Sequence, residues 1–299
     1  MSNQKDHHYI PQFLLRQWTG EDGRLVRFYK PHATKLMAEW VYPSQVGFEK
    51  HLYSTRNPSR RGRNWLENDF LQRVDSMAAR SHAKMVQSPV VGLSDAEMSA
   101  WSIFVRTLFH RSPSGFKSTQ FHSIRIWEET VREIGPRYAQ MKGPDDPETI
   151  DEYIREGING AAYDQVLEHF PDTMMSSRVG QFLNNLHHAY LTTSPPANTF
   201  LISDGVPIRT NGLATDGAHY AIPLSPRRLL VAAHQKKTLR DISAMTTKDL
   251  VTQVNRWIVE KAENFVAATD KRQERFIRNR FGVDQIAPMS GPVPEDHDL

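Results

Sequence analysis

The sequence contains no cysteine. That absence removes disulfides, thiolate nucleophiles and every cysteine-ligated zinc or iron–sulfur centre, so a metal would need His, Asp or Glu. Excess charge of one sign is also missing: 37 Lys and Arg stand against 34 Asp and Glu, a formal net charge of +3. So even a balance does not impose a nucleic-acid partner, and any basic footprint has to be local. No uninterrupted apolar stretch approaches the roughly 20 residues that span a bilayer, and the opening MSNQKDHHYI lacks the apolar core of a signal peptide. The expectation is a cytoplasmic protein with no membrane contact. The P-loop, G-x-G-x-x-G, G-x-S-x-G and EF-hand strings are absent, which disfavours nucleotide-fold enzymes and the common hydrolases.

What the chain does have is apolar material for a core. Of its 299 residues 39% are hydrophobic, with 14 Phe, 9 Tyr and 6 Trp, enough to exclude wholesale disorder. The pattern divides into blocks within one domain spanning 1–299. In block 1–63, Pro11 suits the first turn of a short helix on which Ile10, Leu14 and Trp18 recur at i+4, and Leu25–Tyr29 and Leu36–Tyr42 read as a strand pair across a turn at His32. Block 64–186 is a helical insertion. Its helices are predicted from Trp65 to Met85, after a Ser94/Glu97 capping box, over Phe121–Ile134, over Thr149–Phe170 and over Arg178–Leu186. Block 187–282 offers four short β-type runs, HHAYLTTS, NTFLISDGVPI, HYAIPL and RRLLVAAH, read as one antiparallel sheet. A helix carrying Leu250, Val254, Trp257, Ile258, Ala262 and Phe265 on one side follows, then a second helical segment reaching Phe281, and a flexible tail over 283–299. The fold class is α+β: mainly helical, with an antiparallel sheet built from N-terminal and C-terminal segments around the insertion.

Chemistry-bearing side chains are densest in His7-His8-Tyr9-Ile10-Pro11. If His7–Ile10 is extended, His7 and Tyr9 share one face and His8 and Ile10 the other, so one imidazole enters a given pocket easily. Imidazole suits general-base work or metal ligation near neutral pH, whereas the bland reading is a buried histidine bonded to the backbone. HHYIPQFLLRQW, followed in order by GRLVRFY, EKHLY, HRSP, FLISD, IPLSP and VNRW, resembles the bacterial domain-of-unknown-function family 4238 across nearly the whole chain. The resemblance implies that His7, His8, Tyr9, Pro11, Arg16, Arg111, Ser203, Asp204 and Asn255 occupy the family's marked positions; it implies no activity. Family members tend to follow the Ser-Asp pair with Asn-Pro. Here Gly205 and Val206 precede Pro207, and Trp18 stands where Phe is usual.

Asp204 follows the apolar run Phe200-Leu201-Ile202 and should leave the end of a buried strand, as partner for a histidine or as an ordinary turn residue. Arg111 closes an aromatic-rich helix, and its guanidinium is expected to be free to clamp a phosphate or to cap its own helix. Glu49, His51 and Tyr53 alternate on one face as secondary candidates. HHYIP is also similar to the His-His-x-x-Pro of ββα-metal nucleases, without their downstream helix bearing Asn and a second His. Two functions follow. One is a phosphodiesterase or nuclease in which His7 or His8, Asp204 and Arg111 are catalytic, Arg16, Tyr9, Ser203 and Asn255 bind substrate, a divalent cation assists, and the partner is nucleic acid. The other is a non-catalytic recognition or regulatory module in which HHYIP is a structural hydrogen-bond network. Basic clusters at Arg56/Arg60/Arg61/Arg63, at Arg227/Arg228/Lys236/Lys237/Arg240 and at Lys271/Arg272/Arg275/Arg278/Arg280 could supply a phosphate-binding surface or be solvated.

Overall fold

A computed structural model describes residues 5–31, 35–56, 62–87, 92–158, 161–210, 212, 214–284 and 287–294. The N-terminal block opens with β1 (Asp6–His8); Pro11, with φ fixed at −62°, then leads into α1 (Gln12–Leu15), which tightens to a 3-10 turn over Arg16–Trp18. Ile10, Leu14 and Trp18 are all buried, the reason this short amphipathic turn is helical. β2 (Leu25–Tyr29) and β3 (Met37–Val41) pair antiparallel as predicted, with Leu25 opposite Val41. The turn residue His32 lies outside the described residues. β4 (Phe48–Lys50) returns to β1 and sets His7 opposite Glu49.

The insertion starts with a π-helical turn over Leu66–Leu71 that runs straight into α2 (Gln72–Val86). The predicted capping box is present before α3 (Asp95–His110). α4 (Pro113–Ile134) begins at Pro113 instead of Phe121, because Ser112 caps it through the Gly115 N–H and Pro113 fits the first turn. α5 (Tyr138–Met141), α6 (Ile150–Ile158), α7 (Ala161–Met174) and α8 (Ser177–Asn184) complete the block, so the expected Thr149–Phe170 helix is two helices.

The C-terminal block holds β5 (His187–Thr192), β6 (Ile202–Ser203), β7 (Ile208–Arg209), β8 (His219–Ser225), β9 (Arg228–Ala233), α9 (Lys236–Ser243), α10 (Thr247–Glu260), β10 (Val266–Ala268) and α11 (Glu274–Arg278). Its four β-type runs do not make one sheet. β5-β9-β8-β7 form one, whereas β6 joins the N-terminal hairpin through β10 in the order β3-β2-β10-β6. The fully buried Val-Ala-Ala of β10 is small enough to lie between two neighbours, and this second sheet is the one assembled from both chain ends. Phe265 is accordingly not on α10, which ends at Glu260; it leads into β10. One hydrophobic cluster, including Trp18, Phe28, Phe104, Phe200, Tyr220 and Val266, links all three blocks.

The tail is described over 283–284 and 287–294. Its described part folds back: Arg209 Nη2 donates to Ala287 O (3.1 Å), Ser118 Oγ to Gly291 O (2.6 Å) and His122 Nε2 to Pro292 O (3.2 Å). Among the described residues no helix is long and apolar enough to cross a membrane.

Candidate functional site

Both histidines of HHYIP enter one buried network, through different atoms. His7 Nδ1 accepts from the Tyr53 N–H at 2.9 Å, and its ring stacks on the Tyr53 ring with centroids 5.6 Å apart. The Tyr53 hydroxyl donates to Arg111 O. The Arg111 guanidinium donates to both Asp75 carboxylate oxygens, at 2.7 and 3.0 Å, and to His8 O at 2.5 Å. Arg111 is therefore not free to clamp a phosphate; its exposure is 0%. Nearby, Glu67 has its carboxyl pushed up to about 7 by burial, against the pull of Arg111. Burial also holds the His8 imidazole below its usual value, opposed by a hydrogen bond with the Ser44 backbone.

The string is pinned from outside as well. Tyr9 N and Ile10 N both donate to Gly47 O, at 2.8 and 3.1 Å. Gly47 has φ +69°, and a Cβ there would meet Ile10 Cβ at 2.9 Å, so only glycine fits. At the rim, Gln12 Nε2 lies 3.4 Å from His8 Nε2, and Arg16 Nη2 donates to Gln12 Oε1 at 3.4 Å.

The Asp204 end forms a separate knot. Asp204 accepts from Glu263 N (3.0 Å) and Asn264 N (2.6 Å), tying the β6–β7 turn to the loop after α10. Ser203 Oγ donates to Ile258 O (2.8 Å) and accepts from Gly205 N (3.1 Å). Asn255 Oδ1 accepts from Leu201 N (2.9 Å), while its Nδ2 donates to Thr199 O (2.8 Å) and Gln273 Oε1 (2.9 Å). Glycine at 205 has a packing role: a Cβ there would sit 2.7 Å from Lys261 O. Burial, then the charge of Glu263, pushes the Asp204 carboxyl up to about 7. It lines a small pocket of about 80 Å³ with Ser114, Arg209, Lys261 and Glu263, in which Ser114 Oγ donates to Glu263 Oε1 at 2.6 Å.

His8 and Asp204 thus belong to two networks, one around Arg111 and one around the loop after α10. Tyr9 lies between them. Its phenol feels the charges of Asp204, Glu49 and Glu263, and it lines a cleft of about 260 Å³ with Glu49, Arg27 and Asn264. Asp75 and Glu67 were missed by sequence reasoning. Their signal was available: Glu67, Leu71, Asp75 and Ala78 recur at helical spacing, which puts two acids on the apolar stripe of the helix. Arg111 pairs with the half-buried Asp75, and its charge also acts on the buried Glu67.

Several of the basic clusters are consumed by the fold. Arg228 is buried and donates to Met85 O (3.1 Å) and to Thr192 Oγ1, Arg227 donates to Ala197 O (2.8 Å), and Arg272 and Arg278 pair with Asp270 and Glu274. Lys271 and Arg272 precede α11 and Arg280 follows it, so the last basic cluster is not carried on one helix. Arg60 and Arg61 lie outside the described residues. Among the described residues no group of three or more His, Asp or Glu is placed to hold a metal ion.

The fold and these two knots define an α+β protein whose polar marks, apart from the exposed Arg16, are built into its interior. The family described as "Protein of unknown function (DUF4238)" matches residues 6–272, and the chain belongs to it. No curated protein and no solved structure matches the chain.

Proposed function

We propose that the protein is a non-catalytic recognition or regulatory module in which HHYIP is a structural hydrogen-bond network. Burial carries this reading: His7, Arg111 and Ser203 are 0% exposed, Asn255 1% and Tyr9 4%. Catalysis by these groups needs several of them to converge on an open concavity, and here they are engaged with partners inside the protein. A second reading, a phosphodiesterase or nuclease acting on nucleic acid with a divalent cation, is favoured by one observation. The Asp204 carboxyl, lifted to about 7 beside Glu263 in the wall of a pocket, makes a carboxyl pair suited to holding a proton. The test is incubation with DNA and RNA plus magnesium or manganese, comparing the wild type with His7→Ala, His8→Ala and Asp204→Ala. The module reading expects no cleavage by any of them, and a lowered melting temperature in each variant. Cleavage by the wild type that Asp204→Ala or His8→Ala abolishes at unchanged melting temperature would replace it with the second reading.

A further inference from the structure

Beside the Arg111 network, past His110, a groove of about 500 Å³ runs between α4 and α7. Its walls include His110, His122, Trp127, Gln165, His169 and Phe170. In a chain in which 24% of residues are charged, none of its 13 lining residues is Asp, Glu, Lys or Arg. A seat of that size, with no Asp, Glu, Lys or Arg in its walls and an indole among them, suits a small neutral ligand with a flat face. Trp127 is fixed from behind: it stacks on Tyr153 with ring centroids 6.4 Å apart, and Gly157 lies so close that a Cβ there would sit 2.4 Å from the indole. The aromatic wall is therefore preformed.

The hydrogen-bonding sense of the walls can be worked out. Thr119 Oγ1 donates to Gly115 O at 2.9 Å, so it accepts from His110 Nδ1 at 3.2 Å, which makes His110 Nε2 an acceptor. Burial, together with the charge of Arg209, holds His110 down to about 4, so that acceptor is unprotonated at neutral pH. His122 donates through Nε2 to Pro292 O at 3.2 Å, which ties this wall of the groove to the C-terminal segment. The His110 acceptor, in a groove that holds no Asp, Glu, Lys or Arg and has an indole in its wall, calls for an N–H donor on the edge of a flat ring.

We propose that this groove binds an amine-bearing nucleobase, presented as a neutral nucleoside, with the ring against Trp127 and the amine toward His110. This rests on the recognition reading and names what is recognised. The test is calorimetric titration of the full chain with adenosine and with inosine, which lacks the amine, followed by chromatography of the nucleoside recovered. Adenosine is expected to bind saturably with Kd below about 1 mM, and inosine about tenfold or more weakly. Thr173→Trp, which fills the groove from the exposed side of α7, and His110→Phe, which removes an acceptor, should each weaken adenosine binding about tenfold or more. Thr173→Trp is expected to keep the wild-type melting temperature. Absence of saturable adenosine binding, equal binding of inosine, or undiminished binding by Thr173→Trp would overturn the proposal. Recovery of adenosine chemically converted would leave the seat standing and overturn the non-catalytic reading, so the two fail separately.

Discussion

Replacing Arg111 with methionine cuts the first network at its centre. The guanidinium makes three hydrogen bonds, two to Asp75 and one to His8 O, and is wholly enclosed, whereas the Asp75 side chain keeps 21% exposure. Methionine fills much of the volume but leaves a carboxylate without its cation and a backbone carbonyl without its donor. Breaking a buried pair from one side costs about 3–5 kcal/mol, a large share of the 5–15 kcal/mol by which domains are usually stable. Relief of the guanidinium's own desolvation is already part of that figure. Arg111→Met combined with Asp75→Leu removes both charges and should recover most of the loss, to within about 2 kcal/mol of wild type, because an apolar pair has nothing left to satisfy. Arg111→Lys keeps the charge, yet a point ammonium cannot serve both Asp75 oxygens and His8 O, and about 1–3 kcal/mol is lost. Urea unfolding followed by tryptophan fluorescence and by far-UV circular dichroism reads all three. A loss below about 1 kcal/mol for Arg111→Met, or a double variant as unstable as the sum of the singles, would refute the view that the network is structural.

Glu67→Gln should flatten the pH dependence of stability. Glu67 is 4% exposed and its carboxyl is raised from the ordinary 4.5 to about 7 by burial, so the folded state binds the extra proton and the contribution is complete below pH 4.5 and lost as pH climbs through 7. Over pH 5 to 8 the wild type should lose about 2.5 kcal/mol relative to Glu67→Gln, measured as urea midpoints, and parallel profiles would sink the assignment. Asn255→Ala orphans Leu201 N and the acceptor Gln273 Oε1 and should cost about 3 kcal/mol; Asn255→Asp returns the acceptor but sets a carboxylate against Thr199 O and Gln273 Oε1, and should not rescue. Rescue by aspartate in a melting experiment would show that the donor side of Asn255 is idle.

The α+β class, the N-terminal hairpin and the Ser94 cap were legible because local periodicity and capping chemistry are written in neighbouring residues. Sheet partnership was not. Ile202–Ser203 reads as a strand, but nothing nearby in sequence says that it pairs with Val266–Ala267 instead of the adjacent β-type runs. The start of α4 at Pro113 was signalled by Ser112-Pro113 and is overridden in a reading that waits for Phe121, the next aromatic on the stripe. For the site, the marked residues were legible as a set, but their assignment to two knots was not. Alternation along β1 predicts that His7 and His8 point apart, and they do; it cannot tell that Tyr53, Arg111 and Asp75 wrap around to meet both sides.

Density of His, Tyr and Arg at one point of a chain reads as chemistry because such groups are costly to bury. In this fold the cost is met by geometry. Residues 6–10 lie where β4, the π-helical turn, α2 and the α3–α4 junction converge, and each passing element leaves backbone groups that β1 alone cannot satisfy. Tyr53 N, Arg111 O and His8 O are such groups, and His7, the Tyr53 hydroxyl and Arg111 are their partners. A fixed polar set at a crossing of elements follows from that requirement alone, with no substrate needed to explain it. A ligand site has the opposite property, polar atoms whose bonding is left open toward a void. Under the proposals made above, the α4–α7 groove is where that property is to be tested for, and HHYIP is read as scaffold.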